Sequence, residues 1–252
     1  MSSGLTAGGN AVSTISSTTL SWKVGGGTLT VAEGSQLDVS SRIHDYPESS
    51  EPLAKQGLGI LALTGANTYT GGTSVDAGTL LANNATGSGT GSGAVTVNPG
   101  AALGGTGRIG GNVSIGAGGS LAPGDSPGTL RLGGNLTFDP NAFFDIDIDA
   151  VGLADLVQME GGTLQPNDAT IRVHLGFSPA LGDSWTILQG EGIRDGMFNE
   201  SVLVPNGGER LGWMQFDVSY GSSVILTVVP EPGAGLLLLA ALACGMLVRR
   251  KR

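Results

Sequence analysis

The chain has 252 residues, 45 of them glycine, and is 40% hydrophobic, 13% charged and only 5% aromatic. Its net charge of −9 leaves no basic stripe outside the last four residues, which excludes a nucleic-acid partner. The single cysteine, Cys244, excludes a disulfide scaffold and any cysteine-rich zinc site.

The first ten residues carry neither a basic segment nor an apolar run, so they are no signal peptide. The expectation is that the chain starts partway through a longer protein, or that its start codon is misplaced. Residues 26–41 then set a frame of Leu29, Val31, Gly34 and Leu37. It consists of an apolar pair two apart, a glycine turn, and an apolar residue three beyond the glycine. Spacing of two is the strand period. Residues 42–56 hold two prolines and several charges and are expected to form an exposed loop, closing an N-terminal segment of partial turns over 1–56.

Residues 57–138 repeat the frame. A shorter version runs through Val75, Gly78 and Leu81. Val95, Val97, Gly100 and Leu103 return 18 residues later as Val113, Ile115, Gly118 and Leu121. Leu130, Leu132, Leu136 and Phe138 continue the alternation. A repeat near 20 residues is too short for a strand–helix–strand unit and must stack on its neighbours. The pattern predicts an all-β, right-handed parallel β-helix with glycines at its corners and asparagine, serine and threonine satisfying backbone groups there.

Residues 139–229 are richer in charge and aromatics, and are expected to form a β-rich C-terminal cap domain. Phe144, Ile146 and Ile148 alternate with Asp145, Asp147 and Asp149, giving a half-buried strand with one acidic face. Residues 230–252 follow. Gly233 to Val248 are sixteen uncharged residues, spanning about 24 Å as a helix. Arg249, Arg250, Lys251 and Arg252 then place the C-terminus in the cytoplasm. This predicts one C-terminal transmembrane helix.

Two resemblances rest on these stretches. TGANTYTGGTSVDAGTLLANN, GSGAVTVNPGAALGGTGRIGG and GSLAPGDSPGTLRLGGNL, within residues 58–138, resemble the autotransporter-associated β-strand repeat. That family implies a β-helical stem in a bacterial surface protein. Val229, Pro230, Glu231 and Pro232, followed by the apolar run and the basic cluster Arg249 to Arg252, resemble a PEP-CTERM sorting signal. This resemblance implies recognition and cleavage by exosortase near Pro230–Pro232 in a Gram-negative bacterium, with the mature part released or joined to a surface component.

Candidate chemistry is sparse. Gly105-Thr-Gly-Arg-Ile-Gly110 matches a dinucleotide fingerprint, but a strand follows where a helix is required. Gly124-Asp-Ser126-Pro-Gly128 matches a nucleophile elbow, but Pro127 and the next strand contradict its context. His44 and His174 have no second histidine at ligand spacing. Asp145, Asp147 and Asp149 could offer oxygens to calcium, or simply face water. No catalytic residue, cofactor or metal ligand is therefore expected.

The sequence is that of a non-enzymatic, exported surface or matrix protein, membrane-anchored as a precursor, with exosortase, the membrane and an exopolysaccharide as expected partners. The alternative is a carbohydrate-binding or carbohydrate-cleaving β-helix whose active part lies upstream. An autotransporter passenger ranks third, since the C-terminus reads as one helix and not as barrel strands.

Overall fold

The computed structural model describes residues 3–9, 12–16, 19–22, 26–46, 50–124, 127–190, 196–199, 202–205 and 214–231. All regular structure among the described residues is β. The described residues form four sheets; the chain alternates between the first two along its length and joins the third from Arg108 onward, while the fourth is the two-stranded pair Thr19–Trp22 and Arg42–Asp45. The first holds Ser3–Ala7, Gly27–Val31, Leu53–Gln56, Thr73–Val75, Val95–Val97, Val113–Ile115, Leu136–Phe138 and Leu164–Gln165, in that spatial order. The second runs in the same way from Val12–Ile15 to Phe143–Ala150 and Thr170–Leu175. The third holds Arg108–Ile109, Thr129–Leu132, Leu156–Met159 and Ser184–Gln189, ending in the antiparallel pair Ser223–Pro230 and Met214–Tyr220. Every pairing along the first sheet is parallel, the signature of a coil. This is the predicted parallel solenoid.

Register explains the repeat. In the first sheet Val75, Val97, Ile115 and Phe138 stack in one inward column. In the second, Leu37, Leu61, Leu80, Leu103, Leu121, Phe144 and Ile171 form another. All are buried. The glycine of the frame turns the corner between these columns. Gly34, Gly78, Gly100 and Gly118 have φ of 73°, 65°, 78° and 79°, where a side chain is strained. The expected Leu81 is not in the ladder. The corner after Val75 is one residue shorter than those after Val97 and Ile115, so Leu80 takes the inward slot and Leu81 points outward.

The expected loop over 42–56 is largely structured. Arg42–Asp45 pairs in parallel with Thr19–Trp22, and Leu53–Gln56 is a rung of the first sheet. A full set of strands, Ser3–Ala7, Val12–Ile15 and Thr19–Trp22, also precedes the frame at residues 26–41. Past residue 138 the coil continues, because Leu156–Met159, Leu164–Gln165 and Phe143–Ala150 extend the first three sheets. The alternation at 143–150 is as expected, with Phe144, Ile146 and Ile148 buried.

The far end of the core is closed by an aromatic plug. Phe198 packs against Phe138 and Phe144, with ring centroids 5.5 and 5.6 Å away. The apolar run 233–248, expected to be a transmembrane helix, lies outside the described residues.

Candidate functional site

The turn beginning at Leu53 differs from the others in what it buries. Lys55 occupies the inward column between Leu29 and Val75, and is fully buried. Its Nζ donates to the carbonyls of Gln56 (3.1 Å), Gly57 (2.6 Å) and Ala77 (2.9 Å) at the corner. Those carbonyls favour the ammonium, but loss of water dominates and pulls its pKa down to about 8. In the same turn Tyr69 is fully buried, sharing a 2.6 Å hydrogen bond with the inward Thr73. Burial raises the Tyr69 phenol above its ordinary range. A sequence frame built on apolar residues passes over this rung, because lysine stands in one of its inward slots, and threonine takes the slot ahead of Val75 on the next rung.

Corner side chains satisfy the backbone where the sheets part. Asn67 Oδ1 accepts from Ile43 N at 2.7 Å, and its Nδ2 donates to Gly89 O at 2.6 Å. Asn112 Oδ1 accepts from Asn135 N, and Asn135 Oδ1 accepts from Thr163 N, each at 2.9 Å. The side chain of each of these asparagines thus ties its turn to the next, as expected of corner residues.

The acidic face is partly committed. Asp145 receives Nε and Nη2 of Arg172 on the neighbouring strand, and the Arg172 guanidinium lies 3.9 Å over the Phe143 ring. Asp147 stands opposite His174 in the same register. Asp155, outside the alternating acidic strand, is the buried member of the group at 2% exposure. Its Oδ1 accepts from Gly128 N at 2.9 Å and its Oδ2 from Asp147 N at 3.0 Å. Desolvation raises its pKa to about 6, assisted by Asp147 and Asp149. Asp155 thereby ties the turn before Thr129 to the second sheet. No group of three or more histidines, cysteines or carboxylates able to hold a metal occurs among the described residues.

Other candidates fall apart in space or lie outside the described residues. Gly105 and Gly110 flank the strand Arg108–Ile109, and no helix follows. Ser126 and Asp125 are outside the described residues. His44 bonds the carbonyl of Asp45 through Nδ1 at 2.8 Å. Val229 and Pro230 end the strand Ser223–Pro230, where Val229 pairs with Gln215 and Pro230 with Met214. Glu231 is exposed, while Pro232 and Arg249, Arg250, Lys251 and Arg252 lie outside the described residues.

The model of the passenger-associated-transport-repeat family matches residues 53–82. The match therefore spans two successive rungs of the first and second sheets, including Lys55 and Tyr69. It is an autotransporter-associated repeat, over a shorter stretch than the motifs at 58–138 and beginning inside the segment expected to be a loop. No curated protein matches the chain.

Proposed function

We propose that this protein is a non-enzymatic structural element of the bacterial surface, exported, anchored through its C-terminus and released by exosortase. The observation that carries this is the parallel solenoid bearing a passenger-associated transport repeat, a combination that fits a surface-exposed, passenger-like protein. In this role the coil is a right-handed spacer, its length set by the number of rungs and its solubility by its acidic surface. A structural role also fits the polar groups of the core. Lys55, Tyr69, Asn67 and Asp155 each make at least one hydrogen bond to a neighbouring rung.

The sorting role belongs to Val229, Pro230, Glu231 and Pro232, with Arg249, Arg250, Lys251 and Arg252 as the cytoplasmic anchor. The motif begins where the last strand leaves the sheet, and proline suits that place because it donates no hydrogen bond onward. The test is mass spectrometry of the protein from a host that has exosortase. Mature protein should lack the segment from about Gly233 onward, and Glu231→Ala should leave insertion intact but prevent processing. An intact C-terminus ending in Arg252 would refute the sorting role.

A further inference from the structure

The end of the fold from which the C-terminal segment departs carries an exposed apolar rim. Val151, Leu153 and Leu181 are 66%, 47% and 52% exposed. Val151 stands at the tip of the hairpin between Phe143–Ala150 and Leu153–Ala154, and Trp185 holds that hairpin by donating from Nε1 to Ala150 O at 2.9 Å. Trp185 is itself buried and meets Phe177 edge-on, with ring centroids 6.0 Å apart. Leu181 lies in the turn between Phe177 and Trp185, closed by Asp183 N on Ala180 O and by Ala180 N on Asp183 Oδ2. One aromatic pair thus anchors both the hairpin and the turn that carry these exposed side chains.

The chain leaves its last strand at the same place. Gly182 N donates to Val228 O and Val228 N to Asp183 O, each at 2.9 Å, and Ser184 pairs with Thr227. From Val228 to Gly233, the first of the sixteen uncharged residues, is a stretch of five residues, which reaches about 17 Å when fully extended. The apolar run is therefore tethered beside Leu181. Charge is complementary as well. Asp149, one residue before Ala150, is exposed and Asp183 half-buried, while the run is followed by Arg249, Arg250, Lys251 and Arg252.

We propose that, away from a membrane, the apolar run 233–248 docks on this rim of its own chain, with the basic residues that follow it facing the rim's carboxylates. Contiguous exposed apolar side chains mark a contact surface, and the run is the nearest apolar partner the chain supplies. A short tether makes the contact intramolecular, at an effective concentration in the millimolar range, which favours it over the run of a second copy. Docking shields both surfaces from water until a bilayer competes for the run. The contact needs no exosortase, so it stands or falls apart from the sorting role.

The test is photo-cross-linking of the full chain, synthesised in a membrane-free translation extract with Leu181→p-benzoylphenylalanine. Mass spectrometry of the irradiated monomer should map the cross-link to residues 233–248 of the same chain. Thr186→p-benzoylphenylalanine, at an exposed position on the strand of Trp185, is the control for mere proximity and should give roughly fivefold less. Leu237→Asp with Leu242→Asp, within the run, should lower the yield from position 181 by roughly fivefold, because a carboxylate resists burial against an apolar surface. Limited proteolysis checks that each variant folds. No cross-link to 233–248, an equal yield from position 186, cross-links only between two chains, or a yield that the aspartates leave unchanged would overturn the proposal. Processing of the tail in a host with exosortase would be unaffected by any of these results.

Discussion

Lys55 gives the sharpest test of the solenoid's energetics. Its ammonium is fully buried in a column of aliphatic side chains, with a pKa of about 8 against 10.5 in the unfolded chain. Between those values the unfolded chain holds a proton that the folded chain lacks, so stability rises with pH. Taking the two pKa values through the linkage relation, the folded state should gain about 2 kcal/mol between pH 7 and 9.5. That corresponds to a Tm rise of about 4–8 °C for a protein of this size. The upper limit of pH 9.5 matters, because Tyr69 acts in the opposite direction once unfolded chains begin to ionise near pH 10. Lys55→Met removes the titrating group, but leaves the carbonyls of Gln56, Gly57 and Ala77 without that donor. Its stability at pH 7 should therefore change little, while its pH dependence over this interval should be flatter by about 2 kcal/mol. Thermal unfolding followed by circular dichroism at pH 7, 8, 9 and 9.5 measures both. Parallel curves for wild type and Lys55→Met would refute the claim that burial lowers the pKa of this lysine.

Asp155 supplies a test at the acid end. Its folded pKa of about 6 exceeds the ordinary 3.8, so its contribution is full below pH 3.8 and is lost as pH rises through 6, a change of about 3 kcal/mol. Asp155→Asn should remove that dependence, read as the difference between wild-type and variant Tm from pH 4 to 7; a constant difference would count against it. Ile115 is buried between Val97 and Phe138 in the first-sheet column, so Ile115→Asp places a carboxylate among aliphatic and aromatic neighbours. The expected loss exceeds about 4 kcal/mol. A Tm drop of less than about 4 °C would contradict an unbroken inward ladder there.

The sequence alone carried the architecture where apolar spacing was regular. Val95, Val97, Val113 and Ile115 announce a strand period, and Gly100 and Gly118 announce the corner, because both are local consequences of backbone geometry. The alternation at Phe144, Ile146 and Ile148 was legible for the same reason.

The tertiary structure decided what depends on register between distant turns. Leu80 displaces Leu81 from the ladder because one corner is a residue shorter, and only pairing with Leu61 and Leu103 reveals it. Lys55 and Asp155 look like surface charges in the sequence. Each is buried because neighbouring rungs, 22 or more residues away, offer backbone partners: Ala77 for Lys55 and Gly128 for Asp155.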